Sequence, residues 1–173
     1  MAAAEPPRTL LLLRHAKAVR DGADDFERPL APRGRAAAGD LATHLAATAR
    51  PDIVLCSAAR RTRETLDPIL GRFDHDLQVR IERALYLAEV ETLLTAIRAL
   101  PPEARTALLI GHNPGMHELA VMLVGAGDAH LRRQLDEKFP TGALAAIEIA
   151  GPWGRTTARA GRLIDFVTPH DFE

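Results

Sequence analysis

The stretch Thr9-Leu10-Leu11-Leu12-Leu13-Arg14-His15 carries the reading of the fold. Four leucines in a row leave no polar face. A run this short and this apolar suits a strand covered on both sides, as in a parallel sheet. It stops abruptly at an arginine and a histidine. Two further runs repeat the pattern. Residues 53–56 (Ile-Val-Leu-Cys) lead into Ser57 and then Arg60-Arg61, and residues 107–110 (Ala-Leu-Leu-Ile) lead into Gly111-His112-Asn113.

Between these runs the spacing turns helical. Pro32 suits a first helical position. Leu41 and Leu45 then lie four apart on one face of a helix running to Ala49, with Pro51 as its stop. Ser57 reads as the N-cap of a helix over 58–70. Val79 to Ile81 reads as a short third strand. A helix over 89–100 places Leu93, Leu94, Ile97 and Leu100 on one face and ends at Pro101-Pro102. Pro114 opens a helix over 115–124, closed by Gly125, and Asp128 caps another over 129–138. Residues 142–149 and 163–167 read as two late strands, joined by a Gly-rich turn around 151–154. Alternating strands and helices predict an α/β sheet with helices on both faces. Residues 1–7 read as a loose tail, 21–29 as a charged surface loop, and 8–173 as one domain.

Composition narrows the function classes. Of 173 residues, 47% are hydrophobic and 26% charged, which is ordinary globular usage. Lys+Arg 22 against Asp+Glu 23 gives a net charge of −1, and aromatics are 4%, so neither phosphate-backbone binding nor base stacking is favoured and no nucleic-acid partner is expected. No apolar run approaches the roughly 20 residues of a membrane span, and residues 10–13 are too few for a signal-peptide core. One cysteine excludes an internal disulfide framework and any multi-Cys zinc site. A reducing compartment, the cytoplasm, is expected.

In an open α/β sheet, ligands bind beyond the carboxyl ends of the strands. If the three runs are parallel neighbours, two histidines and at least two arginines share one crevice. Arginine offers a permanent charge and a planar fork that matches phosphate oxygens. Helices that start after Ser57 and Pro114 aim their positive ends at the same place. A neutral histidine whose second nitrogen is held by a hydrogen bond can attack phosphorus. Taken singly, each group has an ordinary reading. Arg14-His15 is then surface polarity, Arg60-Arg61 a solvated helix face, and residues 111–115 a turn with a helix cap. No carboxylate cluster stands beside the histidines, so metal-dependent hydrolysis is not suggested.

Other motifs are absent. There is no phosphate-binding G-x-x-x-x-G-K-[ST] loop, and Gly125-Ala126-Gly127 lacks the third glycine of a dinucleotide fingerprint. No G-x-S-x-G elbow occurs, and His117-Glu118 lacks the second histidine of a zinc protease helix. His44, His75, His130 and His170 read as surface residues. Lys17 stands near enough to the pocket to help attract anions, and also reads as an ordinary solvated lysine. Cys56 reads as a small apolar residue in a buried strand, and Trp153 and Tyr86 as packing.

Leu11-Leu12-Leu13-Arg14-His15-Ala16-Lys17-Ala18 resembles the Arg-His-Gly opening of the histidine phosphatase superfamily, with Ala16 as the variant of its SixA phosphohistidine phosphatase branch. The segment from Asp25 to Gly34 (Asp-Phe-Glu-Arg-Pro-Leu-Ala-Pro-Arg-Gly) looks like the loop that follows this motif. The segment from Ser57 to Thr65 (Ser-Ala-Ala-Arg-Arg-Thr-Arg-Glu-Thr) is similar to the second motif. There an arginine lies four residues after the serine, which selects Arg61 over Arg60. Gly111-His112-Asn113-Pro114-Gly115 matches the second-histidine motif, and Phe139-Pro140-Thr141-Gly142-Ala143 and Phe166-Val167-Thr168-Pro169 also fit the branch.

The resemblance spans nearly the whole chain. It implies a three-layer α/β/α sandwich of the histidine phosphatase or phosphoglycerate mutase-like type, with a mostly parallel sheet. It also implies phosphoryl transfer without a cofactor. In that reading His15 is the nucleophile, and Arg14, Arg61 and His112 hold the phosphoryl oxygens. The superfamily often protonates its leaving group with an acid. The position where that acid is expected makes Glu82 the candidate, with Glu89 and Glu91 as rivals that also suit the start of a helix.

Three functions follow as expectations. The first is a metal-independent phosphatase acting on a phosphohistidine-bearing protein, because short loops leave the pocket open. The second is the same chemistry on a phosphate monoester, either a small metabolite or protein phosphoserine. The third is a non-catalytic phosphate-binding module, which the complete His15, Arg14, Arg61 and His112 set disfavours. A monomer is expected.

Overall fold

The computed structural model describes residues 5–21 and 24–173. Residues 1–4 of the expected tail, and Gly22 and Ala23 of the expected loop, lie outside the described residues. Among these residues seven strands form one sheet in the order β3-β2-β4-β1-β6-β7-β5. The strands are β1 (Arg8–Arg14), β2 (Ile53–Ser57), β3 (Gln78–Glu82), β4 (Thr106–Gly111), β5 (Val124–Gly127), β6 (Leu144–Ile149) and β7 (Gly161–Val167). Every pairing is parallel except those that β6 makes with β1 and β7. Six strands therefore end at one edge of the sheet and β6 at the other.

The helices are α1 (Pro32–Thr48), α2 (Arg60–Leu70), α3 (Val90–Arg98), α4 (Gly115–Leu123) and α5 (Ala129–Glu137). They cover both faces, and the leucine run shows how. Side chains alternate across a strand. Leu11 and Leu13 pack with Leu41 and Leu45 of α1 and Leu66 and Ile69 of α2. Leu10 and Leu12 pack with Leu93 and Ile97 of α3, Met116 and Leu119 of α4, and Leu135 of α5. The three-layer α/β/α sandwich follows from burying both faces of β1. Truncating a buried leucine such as Leu12 to alanine costs about 2–5 kcal/mol.

Several local expectations need correction. The helix after β2 starts at Arg60 with Ala59 as its cap residue, because the Ser57 side chain lies in the strand and points to a distant partner. The helix closed by Gly125 ends at Leu123, and Val124 begins an unexpected strand that pairs with β7. Asp128 does cap α5, its Oδ1 accepting from the backbone N–H of His130 and Leu131. His75 is half-buried, with Nε2 2.8 Å from Pro51 O, and His44 is half-buried beside Phe172.

Candidate functional site

The sheet order makes β2, β4 and β1 consecutive neighbours, so their carboxyl ends converge. Arg14 is the last residue of β1 and pairs with Gly111 of β4. His15 leaves the ladder with its N–H on Gly111 O at 3.1 Å. Gly142 holds this corner by donating its N–H to the carbonyls of Arg14 and His15 at 3.1 and 2.9 Å. Gly142 adopts φ +76°, and a Cβ there would lie 2.8 Å from Pro169 Cγ, so glycine is required.

The result is a cavity of about 510 Å³. Arg14, His15, Arg61 and His112 all line it, with Lys17, Arg20, Asp25, Arg28, Leu87 and Asn113 around the mouth. The structure thus brings together the four residues read from the three strand ends. Arg60 stands outside on the exposed face of α2, with Nε 3.0 Å from Glu64 Oε2.

His15 is buried and its tautomer follows from its partners. Nδ1 lies 2.7 Å from Ala16 O, and a carbonyl oxygen only accepts, so Nδ1 carries the proton. Nε2 then holds the lone pair, and Arg61 Nε–H donates to it at 3.3 Å. The Ala16 peptide is itself fixed, because its N–H donates to Thr65 Oγ1 at 3.0 Å. Burial pushes the His15 pKa down to about 3, with His112, Arg61 and Arg14 adding to the shift. The ring is neutral at physiological pH, with a lone pair on Nε2. Its centroid is 5.3 Å from that of His112, whose pKa also lies at about 3, through burial and then the charge of Arg61.

The arginines are held by main-chain carbonyls. Arg14 Nη1 donates to Phe139 O at 3.1 Å, and Asn113 Nδ2 donates to the same oxygen at 2.8 Å. Arg61 Nη1 donates to Asp25 O at 2.7 Å, and its Nη2 lies 3.2 Å from Asp25 Oδ2. Burial, and then the adjacent Arg61, lower the Arg14 pKa. An arginine nevertheless stays protonated at any practical pH.

Three residues at the site are not legible as site residues in the sequence. Asp25, from the charged loop, lines the cavity. Ser57, which suits a helix cap locally, and Tyr86, which reads as packing, stand behind its lining against His112. Tyr86 OH donates to Asp25 Oδ2, and its ring meets His112 edge-on at 5.4 Å. Arg61 lies over the same ring at 5.8 Å. The Asp25 carboxyl sits at about 2, held there by Tyr86 first and also by Arg28 and Arg61. Trp153, in contrast, is core packing, with Nε1 donating to Ala104 O at 2.8 Å. Cys56 is buried, and burial pushes its thiol up to about 12, which leaves it inert.

The expected acid is not in the cavity. Glu82 ends the edge strand β3 opposite Ser57 and does not line the cavity, whereas Leu87, just past the short 3₁₀ turn Arg83–Leu85, does. Glu89 precedes α3 without capping it, and Glu91 lies in the exposed first turn. Neither lines the cavity. The carboxylate that does is Asp25. Among the described residues, no group of three or more His, Cys, Asp or Glu side chains is placed to hold a metal ion. Among those residues, too, no helix is long and apolar enough to cross a membrane.

Comparison with known proteins agrees with this fold. Residues 10–91 match the sequence profile of the histidine phosphatase superfamily (branch 1). The chain is 36% identical over 161 residues to the uncharacterized protein Rv1276c of Mycobacterium tuberculosis, covering 91% of this chain and 99% of the relative. Its fold is similar to that of a SixA phosphohistidine phosphatase candidate from Nakamurella multipartitia, with a TM-score of 0.83 and 32% identity over 96% of this chain and 99% of the other. A second such candidate, from Agrobacterium tumefaciens, gives a TM-score of 0.80 at 33% identity, covering 94% and 99%. The chain belongs to the SixA branch of the histidine phosphatase superfamily. It is a phosphatase of the histidine phosphatase type.

Proposed function

We propose that the enzyme dephosphorylates protein-borne phosphohistidine, through a covalent phosphohistidine on His15 and without a metal. His15 Nε2 attacks phosphorus as the bond from phosphorus to the substrate nitrogen breaks. Arg14, Arg61 and His112 bind the three non-bridging oxygens. Water then attacks the phosphoryl-enzyme, the His15 N–P bond breaks, and inorganic phosphate leaves. The relatives described as SixA phosphohistidine phosphatase candidates support this substrate class.

The state of Asp25 carries the reading. With its carboxyl at about 2, Asp25 is ionised near neutral pH and engaged by Tyr86, Arg28 and Arg61. It has no proton to give a departing alkoxide. An imidazole leaving group needs none from the enzyme, because it departs protonated or takes its proton from water. The open mouth also suits a residue presented on a protein surface. Five cations line it against one carboxylate, more than a phosphoryl dianion requires, which favours an acidic partner surface. The reading places a monomer in the cytoplasm, with Cys56 reduced.

The test is kcat/KM on a phosphohistidine-bearing protein and on an alkyl phosphate ester. A missing general acid costs an alkoxide reaction roughly 10²–10⁴-fold. Wild type is expected to favour phosphohistidine by at least about 10², and Glu82→Gln to leave both reactions unchanged. Efficient ester turnover, lost in Glu82→Gln, would instead establish the monoesterase function with Glu82 as the acid.

A further inference from the structure

The role of Ser57 lies outside both the helix-capping expectation and the phosphoryl-binding set. Its side chain is fully buried at the end of β2, and its Oγ is 2.7 Å from His112 Nε2. The two residues are 55 positions apart in sequence. His112 is itself 3% exposed, and its other ring nitrogen, Nδ1, is buried with no hydrogen-bond partner among the described residues. A neutral imidazole has one N–H and one lone pair. Nε2 faces Ser57, so Nδ1 is left for a ligand in either tautomer.

The environment of Ser57 favours one of the two arrangements. The Ala59 N–H points at Ser57 Oγ from 3.4 Å and fills an acceptor position on that oxygen. The hydroxyl proton is then free to go to His112 Nε2. An anion-binding cavity needs a donor on the remaining nitrogen, and burial keeps His112 from gaining a second proton. We propose that Ser57 is a positioning residue that donates to His112 Nε2 and so sets the ring's single proton on Nδ1, where it serves as a neutral donor to a phosphoryl oxygen. The arrangement mirrors His15, whose Nδ1 proton is set by Ala16 O and whose Nε2 is left as a lone pair. Two neutral rings 5.3 Å apart thus hold opposite roles: one nitrogen attacks and one donates. This holds whichever phosphorylated substrate the cavity receives.

Nitrogen-15 spectroscopy of the histidine rings in the wild-type enzyme reads the tautomer directly and needs no variant. His112 is expected with Nδ1 protonated and Nε2 bare. Ser57→Ala is expected to shift the ring toward the other tautomer, and to weaken competitive inhibition by inorganic phosphate by about 10- to 100-fold, the loss of one charge-assisted hydrogen bond. Ser57→Thr keeps the hydroxyl and is expected to restore both. Protonation of Nε2 in the wild type overturns the proposal. So does a folded Ser57→Ala enzyme with unchanged phosphate inhibition.

Discussion

Arginines stand at both ends of β1, and only one of them faces a cavity. Arg8, at the amino end, is 4% exposed and donates Nη1 to Gly151 O at 2.6 Å and Nη2 to Pro102 O at 2.9 Å. Around it, Asp52 Oδ2 accepts from the N–H groups of Arg105 and Thr106, and Glu5 lies 3.5 Å from Arg8. Every partner here is a main-chain group or an opposite charge, and the network ties three chain segments together. Arg14, at the carboxyl end, makes one carbonyl contact and lines the cavity beside Arg61 and two neutral histidines. The cation whose donors meet carbonyls ties the fold together, and the one beside open strand ends faces the space where an anion fits, which is the role proposed for Arg14.

The sharpest break of this comparison is a crossed pair of variants. Arg14→Ala is expected to lower kcat/KM by roughly 10²–10³-fold, the usual loss for a preorganised donor on a charged transition state, with little change in Tm. Arg8→Ala is expected to do the reverse. Losing two hydrogen bonds from a buried charge costs about 3–5 kcal/mol, or a Tm fall of roughly 10 °C in a chain of this length, while kinetics stay near wild type. Matching profiles for the two variants would dissolve the distinction between the edges.

A second contrast lies within α2. Arg61→Ala is expected to cost about as much activity as Arg14→Ala, and Arg61→Lys nearly as much, since the lysine point charge cannot reproduce the fork that reaches Asp25 and the His15 ring. Arg60→Ala removes an exposed pair with Glu64 worth at most about 0.5 kcal/mol and should leave kcat/KM unchanged. Equal losses at the two positions would contradict the placement of Arg61 alone in the cavity.

A smaller effect concerns pH. Both cavity histidines have folded pKa values of about 3 against an ordinary 6.5. Below 6.5 the unfolded chain takes up protons that the folded one refuses, so stability falls as pH drops from about 6.5 toward 3. Proton NMR of the ligand-free enzyme should show neither His15 nor His112 titrating between pH 5 and 8, and chemical denaturation should show lower stability at pH 5 than at pH 7. A midpoint near 6.5 for either ring would remove burial as the cause that keeps it neutral.

The sequence made the carboxyl edge legible because its strands are buried on both faces. Residues 10–13, 53–56 and 107–110 are apolar at every position, so the places where polarity returns stand out, and those places are Arg14-His15, Ser57 and His112. What it hid depends on long-range contact. Ser57 follows the local rule for a helix cap, but its partner is a histidine on another strand. Asp25 sits in an aperiodic charged loop, and Tyr86 in a short turn, and only the folded chain brings them together on Arg61. Val124 to Gly127 carries a helix-stopping glycine, and it becomes a strand only because β7 offers an edge. Glu82 is expected from its place along the chain, but it ends the edge strand β3, outside the cavity lining.

The central claim is that His15 Nε2 bears the phosphoryl group during turnover. Rapid quenching with a radiolabelled phosphoryl donor, followed by peptide mapping, tests it. The label is expected on His15 alone, lost in acid and stable in base as an N–P bond requires, and absent from His15→Ala. A label on another residue, or normal turnover by His15→Ala, would contradict it.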